Sequence, residues 1–76
     1  MKAEIGKRYK HYKGGEYTVI AVGRLEADPE TVCVVYQSEY DTVDYPRGSV
    51  WIRNQEDFES TVRVDGREVS RFTQIG

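Results

Sequence analysis

The sequence predicts an all-β (mainly β) fold: a small, strongly bent antiparallel sheet or a partly open barrel, with at most one short helical turn. Three observations support it. Runs rich in β-branched and aromatic residues, at 17–24, 31–36 and 50–53, are separated by turn-forming residues. Asp65-Gly66 stands between two further runs, 61–64 and 67–72, as a two-residue hairpin loop. No long helix is indicated within the 76 residues, and a chain of that length holds one domain, spanning 1–76, whose core must use most of its large apolar side chains.

Gly14-Gly15 supplies the turn that admits the strand over 17–24. Asp28-Pro29 marks the next turn, because the proline ring fixes its own φ and keeps Asp28 out of the helical region. Residues 31–36 are apolar at successive positions, which predicts an interior strand covered on both faces. Residues 37–49 hold Glu39, Asp41, Asp44, two tyrosines and Pro46-Arg47-Gly48 without sustained periodicity, so they read as an acidic loop, of a length that points to a functional or a mobile segment. Alternation over 50–53 puts Trp51 and Arg53 on one face and Val50 and Ile52 on the other. Asn54 with Asp57 three positions later is the pattern of one capped helical turn. A type I′ turn at Asp65-Gly66 needs φ > 0 at both positions and sets Val62 opposite Val69 and Arg63 opposite Glu68. Strands this short and numerous suggest a sheet closing on itself, with a barrel of the Src-homology-3 type ahead of a simple antiparallel meander.

Cys33 is the only cysteine, so no bridge forms within the chain and a reducing, cytoplasmic compartment fits. The N-terminus lacks the apolar stretch of a signal peptide and no run approaches a membrane span; a membrane partner is not expected. Charge is unevenly spread. Residues 1–13 carry Lys2, Lys7, Arg8, Lys10 and Lys13 against Glu4, whereas residues 14–76 are acidic on balance. Such an arm folds back on acidic neighbours or contacts phosphate.

His11 is the only histidine, and one His with one Cys does not supply a metal site; no cofactor is expected. An enzyme reading needs Cys33 activated by His11 as a nucleophilic pair, although a cysteine among valines is more often a packed residue. Arg8-Tyr9-Lys10-His11-Tyr12-Lys13 alternates cations and rings, which suits single-stranded nucleic acid; the same tyrosines also suit packing on the sheet with their hydroxyls at the rim. Trp51, Arg53 and Arg71 are residue types enriched at binding hot spots, and equally suit a core ring with two surface ion pairs. The reading that joins these features is a non-enzymatic binding module. Its candidate ligand residues are Tyr9, His11, Tyr12, Lys13, Tyr36, Trp51, Arg53 and Arg71, with a protein or peptide partner ahead of nucleic acid.

The run Tyr9-Lys10-His11-Tyr12-Lys13-Gly14, followed by Tyr17-Thr18-Val19, resembles the opening of the bacterial domain-of-unknown-function family 1653. The similarity continues through Val34-Val35-Tyr36, Tyr40, Trp51-Ile52-Arg53, Phe58, Val62, Gly66 and Arg71-Phe72. The chain departs from that pattern at Leu25-Glu26-Ala27-Asp28, where members tend to carry a His-x-Glu-Thr-like stretch, and at Asn54, where a proline commonly stands. The resemblance implies a small β-rich bacterial domain and no particular chemistry.

Overall fold

The computed structural model describes residues 3–76; Met1 and Lys2, the latter one charge of the basic arm, lie outside them. The described residues form β1 (Arg8–His11), β2 (Glu16–Leu25), β3 (Asp28–Ser38), β4 (Val50–Asn54), α1 (Gln55–Phe58), β5 (Thr61–Val64), β6 (Arg67–Ser70) and β7 (Phe72–Gln74). Strands β1 to β4 run as an antiparallel meander, and β7 returns to the free side of β1, giving the order β4-β3-β2-β1-β7. Strands β5 and β6 make a separate two-stranded sheet.

The sheet does not close into a barrel, because β4 and β7 stay at opposite edges with no strand paired beyond them among the described residues. The expected bend is nevertheless present. Between the pairs Val19↔Tyr36 and Ala21↔Val35 the register shifts by one residue, leaving Ile20 as an extra residue in β2. A bulge of this kind bends and twists its strand. The bend brings one face together around Tyr9, Val19, Val34, Tyr36, Phe58 and Phe72, all buried. Phe58 stacks on Phe72 at 4.0 Å and 9°, while Tyr9 and Tyr36 meet Phe58 edge-on at 5.5 and 5.4 Å. Each such ring contributes roughly 1.5–3 kcal/mol by leaving water, so a core of few residues suffices here.

Three sequence expectations need correction. The β2–β3 turn is Glu26-Ala27, since Leu25 pairs with Asp28, and Asp28-Pro29 opens β3 instead. Proline is tolerated there because β4 covers β3 only from Cys33 onward, leaving the ring's missing N–H without a ladder partner to lose. Strand β3 is interior, but only one of its faces is covered: Val34 and Tyr36 are buried, whereas Cys33 and Val35 on the other face are half-buried. With a single layer packed on the sheet, alternate residues of an apolar run stay partly wet. The acidic loop begins after Ser38 rather than at Gln37, and it is internally tied: the Tyr45 N–H donates to Thr42 Oγ1 (2.9 Å) and the Arg47 N–H to Asp41 Oδ1 (2.6 Å).

Other elements form as read. Asp65 and Gly66 adopt φ of 50° and 78°, and the hairpin pairs Val62 with Val69 and Arg63 with Glu68. Asn54 caps α1 by accepting the Glu56 N–H at 2.8 Å. The basic N-terminal segment is no loose tail. Strand β1 is paired on both sides, Tyr9 is 0 % exposed with its hydroxyl accepting the Glu4 N–H (2.8 Å), and Arg8 folds onto Glu16 at 2.9 Å. No helix among the described residues is long and apolar enough to cross a membrane.

Candidate functional site

The site begins where β1 ends. A tight turn follows His11: its N–H donates to the Gly15 carbonyl at 2.7 Å, and the Gly14 N–H returns to the His11 carbonyl at 2.8 Å. Gly14 has φ of 109°, a conformation that side chains resist. Gly15 is required for a different reason. A Cβ at that position lies 2.5 Å from the Tyr40 hydroxyl, so only a glycine lets the Tyr40 ring rest on the turn. Tyr40 comes from the start of the acidic loop and is held there by a hydroxyl–hydroxyl bond to Tyr17 on β2, at 2.5 Å.

Between this turn and the bent sheet lies an open cleft of about 330 Å³. Tyr17, Tyr36, Tyr40 and Phe72 give it aromatic walls, and His11, Lys13 and Arg53 supply its nitrogen groups. A wider depression of about 570 Å³ shares Lys13, Gly15 and Tyr40 with it and adds Glu16 and Glu39. The two acids are engaged: Glu16 with Arg8, and Glu39 with Arg47 (3.3 Å) and the Thr18 hydroxyl (2.7 Å).

Arg53 projects from the face of β4 opposite Val50 and Ile52, as the alternation required, and lies 5.7 Å from the centre of the Phe72 ring. Its Nη1 donates to Asp57 Oδ2 at 2.6 Å and its Nε to the Tyr36 hydroxyl at 3.3 Å. Arg71 approaches the other oxygen of Asp57 at 3.6 Å and donates to Ser60 Oγ at 3.2 Å. Burial works against the Arg53 charge, but the hydrogen bonds to Tyr36 and Asp57 outweigh it and leave the pKa above the ordinary arginine value. His11 moves the other way. Burial, then the positive charges of Arg53, Arg71 and Lys13, hold its pKa below 6.5, so the ring is neutral at pH 7. Its Nδ1 accepts the Lys13 N–H at 3.2 Å, which leaves the ring proton on Nε2. Burial and the Tyr40 hydrogen bond push the Tyr17 phenol upward, so it too stays protonated.

Of the residues singled out from sequence, His11, Lys13, Tyr36 and Arg53 meet at this cleft, and Arg71 stands behind it through Asp57. Tyr9 belongs to the core and offers no surface to a ligand. Tyr12 is 38 % exposed, with its ring against His11 at 4.6 Å. Trp51 is half-buried on a flank, edge-on to Tyr45 at 4.9 Å. The cleft residues not foreseen are Gly15, Tyr17, Tyr40 and Phe72. Tyr17 and Phe72 were legible as strand residues, but only the pairing of β7 with β1 and the fold-back of Tyr40 turn them into one wall.

The Cys33–His11 pair does not form. Cys33 sits opposite Gly23 and lies on the face of the sheet opposite to Val34, whereas His11 follows the residue paired with Glu16 and packs on Phe72. Along β2 these positions are seven residues apart, roughly 23 Å of extended chain. Among the described residues no three His, Cys, Asp or Glu side chains gather as a metal site. No curated protein and no solved structure matches the chain. Residues 7–74 match the family described as "Protein of unknown function (DUF1653)", a span that runs from the foot of β1 to the end of β7 and contains every wall residue of the cleft, and the chain belongs to that family.

Proposed function

We propose that this domain is a non-enzymatic binding module that seats a protein or peptide ligand in the cleft between the His11–Lys13 turn and the Tyr36–Arg53 face. The observation that carries the reading is the composition of that cleft: four aromatic residues and three nitrogen side chains, drawn from β1, β2, β3, β4, β7 and two connecting segments, face one open volume of about 330 Å³. Aromatic rings give contact area at little entropic cost, and an arginine among them is the usual composition of a binding hot spot. Nucleic acid is the weaker reading. Tyr9 is buried and Arg8 is engaged by Glu16, which removes one ring and one cation from the alternating segment. The test is selection of a displayed peptide library on the intact chain. Recovered peptides should share a motif and lose binding to Tyr40→Ala, whereas peptides that bind this variant equally well would place recognition elsewhere and end the proposal.

A further inference from the structure

The polar atoms around the cleft are unevenly divided between donors and acceptors. Among the described residues Asp57 is the one carboxylate paired with Arg53 and Arg71, so two guanidinium charges share one negative charge. Arg53 spends Nη1 on Asp57 and Nε on Tyr36, and its Nη2 has no partner among the described residues. Lys13 makes no ion pair among the described residues; its Nζ lies 5.8 Å from the centre of the Tyr12 ring. His11 presents Nε2–H, because Nδ1 is occupied as an acceptor. The Tyr36 hydroxyl accepts from Arg53 and keeps its own proton to give, and the Tyr17–Tyr40 pair shares one proton and has a second left over. Among the described residues the cleft wall itself contains no carboxylate.

A recess of unspent donors with excess positive charge fits an anion. Deepening the proposed function, and resting on it for the peptide character of the ligand, we infer that the cleft takes a carboxylate of that peptide, a side chain or the chain terminus. Arg53 and Lys13 supply the charge, and the half-buried Tyr17 and Tyr40 rings carry the apolar stem. A planar carboxylate matches the edge of a guanidinium. The neighbouring depression argues against a run of phosphates: Glu16 and Glu39 line it, so a second or third negative group extending from the cleft meets acidic side chains.

The experiment uses the full chain and three small probes of matched shape: 3-phenylpropionate, its neutral amide 3-phenylpropionamide, and phenyl phosphate, titrated while the His11 ring and arginine side-chain NMR signals are followed. The acid should give a saturable shift of both signals, bind about tenfold more tightly than the amide, as one charge-assisted hydrogen bond implies, and raise the His11 pKa when bound. Lys13→Gln, on an exposed turn, should weaken the acid severalfold without weakening the amide. Arg53→Gln should abolish the preference for acid over amide; should that variant fail to fold, the acid–amide ratio in the wild type and Lys13→Gln decide alone. Equal binding of acid and amide, no binding of the acid, or insensitivity to Lys13→Gln overturns the inference. Phenyl phosphate binding more tightly than the acid replaces carboxylate by phosphate and overturns it also. Selected peptides that occupy the cleft but bind unchanged after amidation of every carboxylate leave the peptide-binding reading standing and remove this one. Acid binding in the cleft without any selected peptide does the reverse.

Discussion

The β5–β6 hairpin and the cleft-bearing sheet are built by different rules. The hairpin is local: Thr61 and Ser70, its most distant paired residues, are nine positions apart, and two residues with φ > 0 fix the register. The sheet is held together by contacts across almost the whole chain. His11 pairs with Phe72, Arg8 bonds Gly76 through the backbone at 2.8 Å, and the Ala3 N–H reaches Glu59 at 2.9 Å. The hairpin buries little, with Val62 and Val69 only half-covered, whereas the sheet holds the fully buried rings. Local chemistry therefore specifies the part that contributes least to the core, and long-range pairing specifies the part that carries the cleft.

The sharpest way to break that comparison is to remove the long-range closure. Phe72→Ala deletes a ring that stacks on Phe58 and touches Tyr17 and Tyr36, at a cost of about 3–5 kcal/mol for a buried aromatic. That is close to the whole stability of a small domain, about 5 kcal/mol or more. A chain starting at Gly14 goes further, since it strips β2 and β7 of their shared neighbour β1 and takes Tyr9 from the core. Both should lose the cooperative thermal transition seen by circular dichroism. A truncated chain that melts like the intact one would show that β1 is dispensable.

Strain in the local element should matter less. Gly66→Val forces a β-branched residue to φ near 78°, which costs about 1–3 kcal/mol, or a fall of several degrees in Tm for a chain this size. Because β5 and β6 form a sheet separate from the main one among the described residues, part of that strain is relieved by local fraying instead of global unfolding. The main-sheet amides should keep their hydrogen-exchange protection while those of 61–70 lose it. Equal loss in both regions would show that the two are one cooperative unit.

How much of this was legible in the sequence follows the same division. Asp65-Gly66, Asn54 with its acidic first turn, and the alternation that separates Trp51 and Arg53 from Val50 and Ile52 are all local signals, and each predicted the element that forms. The cleft was half-legible. His11, Lys13, Tyr36 and Arg53 stand out by residue type, but Tyr40 lay in a loop without periodicity and Gly15 looked like a turn residue. What unites them is a ring lying where a Cβ cannot. The Glu26-Ala27 turn was hidden because Asp28-Pro29 is a strong local turn signal that the open flank of β3 overrides.

That ring-on-glycine contact gives a third, smaller effect. Gly15→Ala places a methyl 2.5 Å from the Tyr40 hydroxyl, which is the far end of a flexible side chain, so the ring swings away and its bond to Tyr17 breaks. The lost hydrogen bond costs about 1 kcal/mol, and the stiffer unfolded chain returns about 0.4–1 kcal/mol. Stability should therefore change by less than about 1 kcal/mol while the Tyr17 and Tyr40 ring signals move. A Tm drop as large as that of Gly66→Val would mean that Tyr40 supports the fold and does not merely shape the cleft.

The smallest effect comes from a single proton, and it separates the two regions because the chain's only histidine lies in the cleft. Folding lowers the His11 pKa below 6.5, through burial first and the charges of Arg53, Arg71 and Lys13 after it, so the folded state favours the neutral ring. A group of this sign contributes stability that is fully present above pH 6.5 and lost as pH falls through the folded-state pKa. The urea midpoint should thus decline on acidification from about pH 6.5 toward 5, before most carboxylates begin to titrate. His11→Gln keeps an acceptor for the Lys13 N–H and removes the titration, so its midpoint should stay flat across that window. An equal decline in the variant would move the acid sensitivity out of the cleft, and a midpoint rising on acidification would reverse the sign of the interaction between His11 and its three cationic neighbours.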